Sequence, residues 1–156
     1  VDSLGSPDCE VENPRETRMA VTAPIRGHRP DLLIVQNPHR TKNLGASHRD
    51  HRTVAGIALD CVYPLARDHM AFPELLAQGL EPHKIKEVHM MWFESPALVV
   101  DISETMDIKL KALACHQSQF KDFAGVEKRV RERNAELGKL KGYAYAECFE
   151  TIVIER

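Results

Sequence analysis

The chain has 156 residues, 43% hydrophobic and 28% charged, with a formal net charge of −2. That is enough chain for one domain with a sizeable core, and composition of this kind is ordinary for a globular protein. The near-neutral balance argues against a nucleic-acid or anionic-membrane partner. Apolar runs such as Ala97–Leu98–Val99–Val100 are far too short to span a bilayer, and no basic start followed by an apolar stretch marks a signal peptide.

Taken in chain order, residues 12–26 read as a helix, with Asn13 as cap, Pro14 at its first position and Pro24 set to kink or end it. Leu32–Leu33–Ile34–Val35 is a short continuous apolar run after a turn, the pattern of a strand buried on both faces. Residues 36–47 are polar, contain Pro38, Asn43 and Gly45, and read as a loop. Residues 51–67 form the clearest helix, with Val54, Ile57, Ala58, Cys61, Val62 and Leu65 on one face and an irregularity at Pro64.

A short helix or turn is expected over 71–78, then strands over 88–93 and 97–102. Residues 103–119 read as a helix with Met106, Leu110, Leu113 and Ala114 inward. A charged helix over 122–137 follows, with Glu127 and Arg131 spaced for an i,i+4 pair and Gly138 and Gly142 closing it. Residues 147–155 alternate as a late strand. Helices alternating with apolar strands imply an α/β fold with a mostly parallel sheet. The four cysteines (Cys9, Cys61, Cys115 and Cys148) stand far apart and form no C-x-x-C pair. They read as small buried thiols in a reducing compartment, with Cys61 and Cys115 on apolar helix faces.

The chemistry-bearing stretch is Ser47–His48–Arg49–Asp50–His51–Arg52. His48 and His51, three apart at a helix start, can sit about one turn from each other and face the same point. That suits a zinc site in which one imidazole binds metal and the other faces the substrate. The stretch also follows the first strand, and in open α/β sheets ligands bind beyond the carboxyl ends of strands. A plainer account has Asp50 or Ser47 capping the following helix, with both histidines solvated. A catalytic zinc needs about three protein ligands, and no third is obvious.

His48–Arg49–Asp50–His51–Arg52, followed by an Ala-rich amphipathic helix, resembles the H-P-D-H segment of the LmbE-like, or PIG-L, family of zinc-dependent N-deacetylases. Further segments resemble that family in order and spacing: 8–13, Ile25 to Asp31, Lys109 to Gln119 (its K-x-x-A-L-x-x-H-x-S-Q) and Tyr145–Ala146–Glu147–Cys148–Phe149. The resemblance implies a Rossmann-like, mostly parallel sheet flanked by helices. It implies a zinc-dependent hydrolase that removes an N-acyl, usually acetyl, group from an amino sugar or related conjugate in the cytoplasm.

By the same resemblance His51 is the zinc ligand and His48 the imidazole that stabilises the developing oxyanion. Asp50 is the carboxylate that orients or charges a histidine. His116 either approaches the site or packs locally. Arg49 stands where the family has proline. The family's opening His-Pro-Asp-Asp, which supplies two ligands and the general base, has no counterpart. Ser6–Pro7–Asp8–Cys9–Glu10 echoes it without the histidine or the second aspartate.

The expectation is therefore a single deacetylase domain over 1–156, amino-terminally truncated and lacking its first strand and helix. It would be inactive alone and part of a larger enzyme, with an uncovered sheet edge that favours a homo-oligomer. The competing expectation is a non-catalytic α/β binding module derived from that family. A dinucleotide-binding domain ranks lower, since no G-x-G-x-x-G follows the first strand.

Overall fold

The computed structural model describes residues 3–39, 47–91 and 95–154. The chain forms two compact units, 1–94 with 151–156, and 95–150.

In the first unit, α1 (Arg15–His28) is followed by β1 (Leu32–Gln36), α2 (Arg49–Asp60), α3 (Pro73–Leu76) and β2 (Glu87–Met91). β1 and β2 pair in parallel, with Leu32 opposite Glu87 and Gln36 opposite Met91. Parallel strands need a crossover, and here it contains α2. The core gathers Ile25 of α1, Val35 of β1, Ala55, Ile57 and Ala58 of α2, and Val88 and Met90 of β2. Ile34 is 54% exposed, so β1 buries one face and not the two expected from its unbroken apolar run. Val54, also expected inward, is exposed, and Ala55 takes the buried position.

Two prolines behave differently from each other. Pro24 lies inside α1 without ending it. Beyond it Arg26 is buried and its guanidinium donates to the carbonyls of Ala66, Leu65, Asp68, Ala71 and Leu80. Those contacts hold the last turn of α1 in place despite the lost intrahelical bond. Pro64 does end its helix. α2 stops at Asp60, passes into a wider turn closed by the Ala66 N–H to the Cys61 carbonyl at 2.7 Å, and turns extended at Tyr63 (φ −145°, ψ 124°). The residue before proline is pushed away from the α region by the pyrrolidine ring. The expected run to Arg67 is therefore two shorter pieces.

In the second unit, β3 (Leu98–Asp101) leads to α4 (Met106–Ala114) and α5 (Phe123–Gly138), and β4 (Ala146–Val153) begins here and ends in the first unit. β3 and β4 pair antiparallel, Leu98 opposite Phe149 and Asp101 opposite Ala146. The fold is mixed α/β, with the expected parallel pairing in the first unit and an antiparallel pair in the second. Asp122 caps α5 by accepting from the Gly125 N–H at 3.2 Å. The buried Asn134 donates to the Ala146 carbonyl at 2.9 Å, and Lys109 pairs with Glu147. Lys109 and Glu147 belong to two separate segments of the family-like pattern, which this ion pair joins.

The helix expected over 103–119 covers only 106–114. A single 3₁₀ turn follows at 117–119. Cys115 is exposed and not on a buried face; Cys61 and Cys148 are buried, Cys9 is exposed, and all four are free thiols. Part of the expected loop, 40–46, and the ends of two expected strands, 92–93 and 155, lie outside the described residues. No helix among the described residues is long and apolar enough to cross a membrane.

Candidate active site

The site forms where residues 7–10 dock on the first turn of α2, beside the carboxyl end of β1. His48, and neither Ser47 nor Asp50, caps α2: its Nδ1 accepts from the Asp50 main-chain N–H at 3.2 Å. The buried Ser47 instead receives the Arg52 guanidinium on its carbonyl. An imidazole nitrogen that accepts carries no proton, so neutral His48 holds its proton on Nε2. That nitrogen lies 3.5 Å from Cys9 Sγ and 3.9 Å from Asp8 Oδ1.

His51 follows one turn on. The rings of His48 and His51 stand with centroids 5.5 Å apart, tilted by 50°, so the two imidazoles do come together. The Gln36 side-chain amide meets His51 Nδ1 at 3.0 Å.

Asp50 is buried. Its Oδ2 accepts from the Cys9 N–H at 2.6 Å, and its Oδ1 accepts from Arg49 at 3.2 Å. Its nearest approach to the His48 ring is 3.9 Å, at Nδ1. Asp50 therefore makes no direct hydrogen bond to the His48 ring. Arg49 adds hydrogen bonds to the Cys9 and Val11 carbonyls at 3.1 and 2.8 Å. Together they hold a turn in which the Glu10 N–H donates to the Pro7 carbonyl and Cys9 sits in the left-handed region at φ 67°. Arg49, which stands in place of a proline, therefore works as a strap. The Asp8 carboxylate beside Cys9 pushes the thiol's pKa up.

His116 lies in the second unit, exposed, between α4 and the following 3₁₀ turn; its N–H donates to the Leu113 carbonyl at 3.1 Å.

The fit to zinc is decided by donor atoms. Asp8, Cys9, His48 and Asp50 bring potential ligand atoms within 4.8 Å of one another. Oxygen, sulfur and imidazole nitrogen are the donors zinc takes, and His51, its ring beside that of His48, adds a second imidazole. The residues suit the metal in kind. Asp8 and Cys9, a mere echo in the sequence, join the cluster because the turn at Cys9 folds onto α2. Gln36 joins it as the polar residue that ends an apolar strand.

No family model matches the chain. It is 30% identical over 149 residues to the diacetylchitobiose deacetylase of Thermococcus kodakarensis, an alignment covering 94% of the chain and 54% of that protein. The chain thus spans about half the length of this relative. Among solved structures, the N,N'-diacetylchitobiose deacetylase of Pyrococcus horikoshii, complexed with its inhibitor MPG, superposes with a TM-score of 0.86 at 28% identity. That match covers 96% of this chain and 56% of the other. The conserved protein TT1542 from Thermus thermophilus shares the fold at a TM-score of 0.76 and 24% identity, over 98% of this chain and 66% of its own. So does the 4-carboxy-2-hydroxymuconate hydratase GalB from Pseudomonas putida, at 0.69 and 15%, over 95% and 62%. Over about half of their length the chain is similar in sequence and in fold to the diacetylchitobiose deacetylases, the kind of relative expected from its LmbE-like (PIG-L) segments.

Proposed function

We propose that the chain carries half of the active site of a zinc-dependent hydrolase that removes an acetyl group from an N-acetylated amino sugar. N,N'-diacetylchitobiose, named in two relatives, is the first substrate to assay. The observation that carries this reading is the His48–His51 pair, rings 5.5 Å apart at the start of α2.

His51 would hold the zinc, with Asp8 and Cys9 the exposed oxygen and sulfur donors nearest its partner His48. When bound, the ion supplies Lewis acidity toward an amide carbonyl and acidifies water from its bulk pKa to about 7. The chain's own work lies with His48. Capping α2 through Nδ1 leaves Nε2–H as a donor even in the neutral ring. A donor fixed in this way stabilises an oxyanion that exists only in the transition state, without reorganising as charge develops. The Asp50 carboxylate stands 3.9 Å from the Nδ1 edge of the same ring.

The test compares three variants in the protein as the cell makes it, by metal content and acetate release. His51→Ala is expected to lose zinc and activity together. His48→Ala keeps zinc and lowers kcat by about 100- to 1,000-fold, the usual cost of one oxyanion donor. Asp50→Asn falls by about 10- to 100-fold with milder loss of metal. Zinc lost from His48→Ala and kept by His51→Ala would reverse the two roles. Full rates in all three would leave only a helix cap, and the non-catalytic binding module would take over.

A further inference from the structure

Gln36 is the last residue of β1, and the ladder fixes its main chain: its Cα pairs with Met91, and the following Asn37 N–H donates to the Met91 carbonyl at 3.0 Å. From that anchored position its side-chain amide reaches His51 Nδ1 at 3.0 Å. A carboxamide has two faces. With Nε2 toward the ring it donates to a bare Nδ1; turned over about its last bond, Oε1 takes the same place and accepts from Nδ1–H. A histidine ligates a metal only through a nitrogen that carries no proton, and its other nitrogen then donates to a neighbouring acceptor. His48 has no such freedom, because the group at its Nδ1 is a main-chain N–H, which only donates.

We infer that Gln36 is a positioning residue that sets the tautomer of His51 at the carboxyl end of β1. With the amide donating, His51 keeps its proton on Nε2. With the amide turned over, the proton moves to Nδ1 and Nε2 is free to bind a cation. Two imidazoles one helical turn apart then do opposite work. His48 is locked as an Nε2–H donor by the backbone, and His51 is convertible to an Nε2 ligand by a side chain that serves either proton position. The ligand half of this inference rests on the proposed zinc reading; the tautomer half concerns the metal-free protein and stands apart from it.

The experiment uses the ¹⁵N shifts of the His51 ring in metal-free protein, well above the imidazole titration range, beside zinc titration calorimetry. Gln36→Glu offers acceptor atoms only. It is expected to hold the His51 proton on Nδ1, away from Nε2 where a donating Gln36 amide leaves it, and to tighten zinc about tenfold. Gln36→Leu offers neither donor nor acceptor and is expected to weaken zinc by about 10- to 100-fold, the usual effect of removing such a partner. Both changes lie at a half-buried strand end, and circular dichroism of each variant checks the fold. A His51 proton on Nε2 in Gln36→Glu, or parental zinc affinity in Gln36→Leu, overturns the inference. His51→Ala is the control. If it binds zinc like the parent, the metal assignment of His51 fails, while the nitrogen shifts still decide the role of Gln36.

Discussion

The main-chain N–H of Cys9 donates to Oδ2 of Asp50 at 2.6 Å, a bond between residues 41 apart in the chain. It joins an exposed turn to the first turn of α2 and brings the Cys9 thiol and the Asp8 carboxylate to the edge of His48. A carboxylate in the first turn of a helix also lies at the positive end of its dipole, which favours the charge.

Asp50→Ala should therefore do more than remove a charge. It deletes an acceptor from the Cys9 N–H and from Arg49, and hydrogen bonds to charged groups are worth about 1.5–3 kcal/mol. A loss of about 2–3 kcal/mol in urea denaturation is expected, with early proteolytic cleavage near residues 7–10. Asp50→Asn keeps one acceptor and should lose less. Equal stability of Asp50→Ala and the parent would show that the turn is held by other contacts.

Arg26 should be among the costliest residues to change. Its guanidinium is buried and satisfies carbonyls on the connection from α2 to β2. Arg26→Ala strands several of them, each costing about 1–3 kcal/mol when left unpaired, so a total of roughly 3 kcal/mol or more is expected. Arg26→Lys should recover only a part, since a compact ammonium cannot span the same fork of acceptors. Chemical denaturation of the two variants checks both statements.

Thiol chemistry gives a pH-dependent test. The negative charge of Asp8 disfavours the Cys9 thiolate and raises its pKa above the ordinary thiol value. The neutral thiol therefore persists at neutral pH, and the rate of alkylation by iodoacetamide should climb only at higher pH. Asp8→Asn removes the opposing charge, so the midpoint should fall and alkylation at neutral pH should speed up. The exposed Cys115 is first replaced by alanine to leave Cys9 as the accessible thiol. A midpoint that does not move in Asp8→Asn would refute the electrostatic cause.

Gly138 ends α5 where the chain doubles back, accepting on its carbonyl from the N–H groups of Lys141 and Tyr143, each at 3.0 Å. A Cβ here would come within 2.4 Å of the Tyr143 carbonyl oxygen. Gly138→Ala should cost about 1–3 kcal/mol, as overpacking against backbone usually does. A melting temperature equal to the parent's would mean that the turn can move aside.

Local chemistry was readable from the chain. Every helix and strand expected between residues 12 and 155 has a counterpart, because periodicity and turn residues act within a few positions of themselves. The pairing of His48 with His51 was readable for the same reason, since three residues along a helix fix it. Element ends were less so. Pro24 did not stop α1, because the stabilising contacts of Arg26 are made to residues 39 to 54 positions away. Val54 and Ala55 exchanged places because periodicity marks an apolar stripe only to within a residue or so, and packing against α1 and β1 chooses between neighbours.

The sequence by itself determined the kinds of atoms available: two imidazoles, a carboxylate between them, and an ordered set of family-like segments. Only the tertiary structure decided what each atom faces. The Nδ1 of His48 faces a main-chain donor, that of His51 faces an amide from the end of β1, and Asp50 faces the backbone of Cys9. Proton positions on an imidazole are set by hydrogen-bond partners within about 3 Å, and two of these three partners come from segments remote in sequence. The spacing of residues along the chain holds no record of such contacts until the strand and the turn have folded against the helix.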